Sequence, residues 1–211
     1  MKNVDDLMDS AAQLANQGLS KGEIADELNV SRETASWLVE RAGTQPAPER
    51  APAAKRPQDV HVDWSAIGRD STRLAYVSQA LADMLAKHGE NIDLTVGIEK
   101  AGAPIATMVG HILGTDLATY TPRKHQWEEG DIEDLAGSFS RNFASIRDRP
   151  CYVVDDTITS GTTLTETIEA IRGAGGEPVC CAVLVDKQGI DTIEDVPVYS
   201  LVQVIPVGRE E

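Results

Sequence analysis

Apolar residues near the start of the chain recur every three or four positions: Val4, Leu7, Met8, Ala11, Leu14 and Ala15. That spacing collects them on one stripe of a helix, which Gly18 is placed to end. Ser20 with Glu23 forms a capping-box pattern, each side chain satisfying a backbone donor of the other, and the helix it opens carries Ile24, Ala25 and Leu28 on one face. Asn29 and Val30 interrupt the pattern; Ser31 then caps a third helix with Ala35, Leu38 and Val39 inward. From Thr44 to Val60 the periodicity is lost in "TQPAPERAPAAKRPQDV", where Pro46, Pro48, Pro52 and Pro57 exclude a regular element. The stretch reads as an extended linker over residues 44–60 between a helical domain, 1–43, and a second domain, 61–211.

Beyond the linker the pattern alternates. Leu74, Val77, Leu81, Met84 and Leu85 predict an amphipathic helix stopping at Gly89, and "IDLTVGI" comes next as a strand. Pro104 suits a helix start, with "IATMVGHIL" as its body and Gly114 as its end. "LATY", "GSFSRNFASI" and "CYVVDD" are strand candidates, and a helix from about Thr162 to Arg172 leads to "EPVCCAVLVD", a continuous apolar run of the kind buried on both faces of a sheet. Strands alternating with helices predict an α/β domain, a parallel sheet flanked by helices, behind a small all-α unit.

Charge changes the picture at one end. Acidic residues outnumber basic ones 34 to 19 in the 211-residue chain, for a net charge of −15. Such a surface opposes nucleic acid at moderate salt, an objection that fades near molar salt, where screening acts within about 3 Å; a halophilic source is the expectation. Cys151, Cys180 and Cys181 all lie in apolar runs without metal-ligand spacing, as core residues of a reducing compartment do. The four histidines lack ligand spacing too. No leader pattern and no membrane-length apolar run appear, so a cytoplasmic protein is expected.

The chemistry concentrates in "YVVDDTITSGTT", where an apolar run meets Asp155 and Asp156 and then six Ser, Thr or Gly residues in seven positions. Beyond the carboxyl end of a parallel strand, Thr157, Thr159, Ser160, Gly161, Thr162 and Thr163 can surround a phosphate with hydroxyls and backbone N–H groups, helped by the N-terminus of the next helix. The two acids suit the hydroxyls of the sugar carrying it. A solvated surface turn is the bland alternative. "CYVVDDTITSGTT" resembles the phosphoribosyl-pyrophosphate signature of type I phosphoribosyltransferases, whose Rossmann-like fold it implies; there the paired acids hold ribose hydroxyls and the loop holds the 5′-phosphate. "GIEKAGAPIA" is similar to the pyrophosphate loop of the orotate branch, which implies diphosphate contacts from Glu99, Lys100, Ala101 and Gly102. "PRKHQWEEGD" resembles the loop that, in orotate phosphoribosyltransferases, closes over the neighbouring subunit's site. Arg123 and Lys124 match as catalytic groups, but Trp127 stands where a further lysine is expected, with Glu128 and Glu129 after it. Losing one such electrostatic contact commonly costs about a hundredfold in rate, so this site is expected to bind better than it turns over. The resemblance also implies magnesium (Mg2+), held mainly through the ligand's oxygens and waters with Asp155 and Asp156 as the protein groups within reach, and base contacts from the segments "HVDWSAIGRD" and "YSLVQVIPVG".

Residues 15–42 fit a helix-turn-helix, "EIADELNV" supporting and "SRETASWLVERA" reading. Ser20 and Lys21 open the first of these; Ser31, Arg32, Glu33, Thr34 and Ser36 lie at the start of the second, with Arg32 the best reader of guanine or phosphate. Residues 1–45 carry four basic and eight acidic side chains, which weighs toward the alternative, a protein-interaction module. The full arrangement resembles archaeal phosphoribosyltransferase-like transcriptional regulators of sugar catabolism. It implies a homodimer that binds double-stranded promoter DNA and senses phosphoribosyl pyrophosphate or a related phosphorylated sugar or nucleotide, with a working orotate or purine phosphoribosyltransferase as the competing reading.

Overall fold

The computed structural model describes residues 4–42, 59–89, 91–123 and 137–205. The chain divides into two compact units, Met1–Trp64 and Ser65–Glu211.

In the first unit α1 (Val4–Asn16), α2 (Lys21–Glu27) and α3 (Arg32–Ala42) enclose Ala11, Ile24, Ala25, Leu28, Val30, Ala35 and Leu38, all buried. Both predicted caps form. Glu23 N–H donates to Ser20 Oγ at 3.3 Å while Ser20 N–H donates to Glu23 Oε2 at 2.9 Å, and Thr34 N–H donates to Ser31 Oγ at 3.1 Å. Asn29 turns the chain between α2 and α3 with φ of 50°, a left-handed conformation that asparagine tolerates better than most residues. The unit also includes residues 59–64, the last residues of the proline-marked linker and the first beyond it. Asn29 Nδ2 donates to the Val62 carbonyl at 3.2 Å, so this stretch is bound to the turn before α3. Most of the linker, residues 44–58, lies outside the described residues, as does residue 43 before it.

The second unit begins with α4 (Ser65–Gly68) and α5 (Ser71–Ala86), the latter capped by the Asp70 carboxylate, which accepts from Thr72 and Arg73 N–H at 3.0 Å. The chain continues through β1 (Leu94–Ile98), α6 (Gly102–Leu113), β2 (Asp116–Thr121), β3 (Ser138–Phe139), β4 (Pro150–Ile158), α7 (Thr162–Gly173), β5 (Glu177–Asp186), β6 (Thr192–Ile193) and β7 (Val196–Gln203). The sheet runs β3-β2-β1-β4-β5-β7-β6. Its inner pairings, β1 with β2 and β4, and β5 with β4 and β7, are parallel; the short edge strands β3 and β6 pair antiparallel. Helices α5 and α6 cover one face, where Leu81, Leu85, Ile105 and Val109 meet Tyr152, Val154, Cys180 and Ala182. On the other face Leu164, Ile168 and Ile171 of α7 meet Val153, Cys181 and Val183. The central strands are therefore covered on both faces, which is why β1 is buried along its whole length and most of β5 reads as a continuous apolar run.

Several expectations are corrected. "GSFSRNFASI" supplies a strand only at Ser138–Phe139; beyond it Ser140 and Ala144 N–H donate to the Thr119 and Leu117 carbonyls at 3.1 and 2.9 Å, so the backbone turns along β2 without extending a ladder. No element is expected for "YSLVQVIPVG"; its first residues, Tyr199–Gln203, belong to β7 beside β5. Helix α6 starts at Gly102, two residues before Pro104, which occupies a first-turn position where no intrahelical N–H bond is forgone. Helix α5 stops at Ala86, before Gly89.

Cys151, Cys180 and Cys181 are free and buried, and burial pushes Cys151 and Cys180 up to about 12 and Cys181 well above the usual thiol range. Because the thiolate is the nucleophile, all three should resist a thiol reagent such as dithionitrobenzoate at pH 8 in the native protein and react fully in denaturant. Rapid labelling of any of them before unfolding would contradict this packing.

Candidate functional site

Adjacent parallel strands deliver their outgoing loops to the same edge of a sheet, and β1 and β4 are adjacent. The loop after β1 is Glu99, Lys100 and Ala101, with a cis peptide bond between Glu99 and Lys100. Its position is held from β2: Glu99 N–H donates to the Tyr120 carbonyl at 2.9 Å, and Thr121 Oγ1 donates to Glu99 Oε2 at 2.7 Å. Lys100 is exposed. Gly102 then opens α6 directly against β4. A Cβ there would lie 2.8 Å from Asp155 Cα, from Asp155 Oδ1 and from the Val154 carbonyl, closer than any real side chain sits, so glycine is required by contact.

The acids lie inside β4, not at its close as expected, because the strand continues through Thr157 and Ile158 beside Val185 and Asp186. Asp155 is buried and its Oδ1 accepts the Asp156 N–H at 2.8 Å; Asp156 is half-buried and its Oδ2 accepts from Thr157 Oγ1 at 3.3 Å. The loop proper is only Thr159, Ser160 and Gly161, the last with φ of 82° as the cap of α7. Ser160 Oγ and Thr162 Oγ1 lie 3.1 Å apart, and Thr162 N–H reaches Ser160 Oγ at 3.4 Å. Thr163 is half-buried in the first turn of the helix. Two helices of 12 residues each, α6 and α7, therefore begin at this edge of the sheet, each presenting first-turn N–H groups and the positive end of a helix dipole.

Two acids that sequence reading missed organise the rim. Glu166 on α7 accepts both the Tyr120 hydroxyl at 2.9 Å and the Arg123 N–H at 2.8 Å. Burial first, and then this bond to Glu166, raise the Tyr120 phenol above its ordinary range. The Arg123 side chain is left exposed, and Lys124, like Trp127, Glu128 and Glu129, lies outside the described residues. Asp186 ends β5 almost wholly buried, its Oδ1 accepting from Gln188 and Gly189 N–H and its Oδ2 from Ile190 N–H at 2.7 to 3.0 Å. Gln188 Nε2 in turn donates to the Thr159 carbonyl at 2.5 Å, tying the loop after β5 to the hydroxyl-rich loop. The readable signal for Asp186 was the one used for Asp155: a carboxylate at the end of a buried apolar run. For Glu166 the sequence holds none, since it is one of several polar residues on α7.

A cleft of about 440 Å³ lies beside the first loop, lined by Glu99, Lys100, Ala103, Pro104, Thr107, Thr119 and Phe143. Among the described residues no cluster of three or more His, Cys, Asp or Glu side chains can hold a metal. Asp155 and Asp156 offer carboxylate oxygens at this edge, a donor type that a hard cation accepts.

On the helical unit Ser20, Lys21, Arg32 and Glu33 are exposed, while Ser31, Thr34 and Ser36 are half-buried. Lys21 forms an exposed ion pair with Glu40 at 3.5 Å. Trp37 is half-buried against the helical core with the Arg41 guanidinium 4.9 Å from its ring centre.

Paired acids, a close-approach glycine loop and two helix starts thus meet at one sheet edge. Residues 63–207 match the phosphoribosyl transferase domain family. The chain is 69% identical over 211 residues, all of both chains, to the transcriptional regulator GfcR of Halorubrum lacusprofundi, and 64% identical over 208 residues to that of Halobacterium salinarum, covering 99% of this chain and 98% of that protein. To the regulator of the same name from Methanosarcina mazei it is 45% identical, over 98% and 100% of the two chains. The chain belongs to the phosphoribosyl transferase domain family. Solved structures share the fold: orotate phosphoribosyltransferase from Aeropyrum pernix (TM-score 0.57, 20% identity, 73% of this chain and 84% of that one) and adenine phosphoribosyltransferase from Rhodothermus marinus (0.55, 22%, 73% and 92%). No described helix is long and apolar enough to cross a membrane.

Replacing Gly102 by Val should lower the melting temperature, since over-packing of this kind costs about 1–3 kcal/mol. Gly173, at the end of α7 with nothing within 4 Å of an added Cβ, supplies the contrast: Gly173→Ala should leave the melting temperature unchanged or raise it. Thermal unfolding of the two variants checks the pair.

Proposed function

We propose that this chain is a DNA-binding transcriptional regulator of central sugar catabolism. Its second unit senses phosphoribosyl pyrophosphate, or a closely related phosphorylated sugar or nucleotide, as the magnesium complex. The observation that carries the reading is the contact of Gly102 with Asp155, which brings the diphosphate-type loop and the ribose-type acids to one place. The ligand's anionic groups face N–H donors, the Lys100 charge and the helix starts; its ribose hydroxyls face Asp155 and Asp156. Support for the DNA half comes from the exposed Arg32 at the start of α3 and from the naming of the relatives. The relatives from halophilic archaea fit the acidic surface, since in their salt the long-range repulsion of DNA is screened. The protein works in the cytoplasm as a homodimer, and ligand shifts it between arrangements that fit or miss two operator half-sites by binding them unequally.

Electrophoretic shift of promoter fragments at high salt, with and without phosphoribosyl pyrophosphate and magnesium, tests the reading. The expected result is a specific shift that the ligand changes, together with a loss of ligand affinity of at least about tenfold in the Asp155→Asn, Asp156→Asn double variant. No specific shift under any condition would remove the regulator reading.

A second reading, a phosphoribosyltransferase that releases pyrophosphate, draws on the family and on the Glu166 contact that holds the backbone of Arg123. Incubation with magnesium, the donor and a panel of nucleobases decides it; robust turnover that falls in Arg123→Ala would promote it.

A further inference from the structure

Helices α2 and α3 solve the same problem differently. The N-cap donor of α2, Ser20 N–H, is taken by Glu23 three residues on, completing a capping box. In α3 the equivalent third position is Thr34, which has no carboxylate to return, and Ser31 N–H instead donates to Asp59 Oδ2 at 2.5 Å, from 28 residues away. The neighbouring residues of the same strap hold the same turn: Val62 O accepts from Asn29 Nδ2, and His61 Nδ1 pairs with the Leu28 carbonyl. Leu28, Asn29 and Ser31 are thus all engaged by Asp59–Val62.

This strap stands where DNA would approach. The start of an 11-residue helix attracts phosphate through its free N–H groups and the positive end of its dipole, and Arg32 and Glu33 beside it are exposed. A carboxylate at that point takes a donor and repels a phosphate. The contact is short enough that salt screening, which acts over ångströms beyond it, leaves it intact. Only Asp63 and Trp64 separate the strap from Ser65, where the second unit begins.

We propose that Asp59–Val62 is an autoinhibitory clasp: the Asp59 carboxylate substitutes for a DNA phosphate at the start of α3, and DNA displaces it. The clasp rests on the DNA-binding reading of the helical unit.

The test uses the full chain at constant high salt, with a duplex from the promoter of its own gene and a random duplex of equal length. Asp59→Ala is expected to tighten binding of both by about tenfold, the scale of one charge-assisted hydrogen bond, while Asp9→Ala, which removes an exposed acid of α1 in the same unit, changes it by less than about twofold. Wild-type binding with no gain, or a loss, in Asp59→Ala overturns the clasp and makes the strap a permanent cap. If neither protein binds any duplex, the DNA-binding reading falls and the clasp with it. Amide exchange in the wild type serves where the variant fails to fold: Val60, His61 and Val62 should exchange faster with duplex bound, and slower or unchanged exchange overturns the proposal.

Discussion

Gly102 lies so close to Asp155 that one additional carbon would collide with its backbone and its carboxylate. Much of the second unit can be understood from that approach. It requires β1 and β4 to be neighbours in register, which the parallel pairing of Leu94 with Cys151 through Gly97 with Val154 provides. It also requires α6 to leave the sheet at once. Gly97 permits this, since a Cβ there would lie 2.7 Å from Ala106 Cβ and 2.8 Å from Ala103 Cα. Two helix starts and two carboxylates then share one sheet edge.

The rest of that edge is braced by acids turned inward. Asp186 draws successive amides of the loop after β5 around its carboxylate, and Gln188 passes that order to Thr159. Glu166 does the same for Tyr120 and Arg123. At the opposite edge Arg149 bridges Asp93 and Asp116 at 3.0 and 2.9 Å, closing the ends from which β1, β2 and β4 begin. Both acids are largely exposed, so the bridge contributes about 1 kcal/mol or less and the apolar faces carry the stability. A chain of net charge −15 thus uses several of its acids as internal acceptors.

The helical unit uses an acid in the same way, with the opposite consequence for an anionic ligand. Its basic groups are few, Lys21 is engaged with Glu40, and the start of α3 is covered by an acid from the strap. Affinity for a polyanion there depends on local placement of basic side chains such as Arg32, because net charge works against it.

Local rules decided much by themselves. Apolar spacing, the Ser20 and Glu23 box, the left-handed stop at Gly114 and the double-sided burial of β5 are readable because each depends on residues within a turn or a strand of one another. The acid pair and the glycine loop were readable as chemistry for the same reason. Tertiary structure alone decided that "GSFSRNFASI" is mostly turn, that β7 completes the parallel sheet, that Glu166 and Asp186 hold the rim, and that Asp59 reaches Ser31. Each of these depends on a partner distant in sequence, and a one-dimensional pattern carries no distance between residues that only the folded chain brings together.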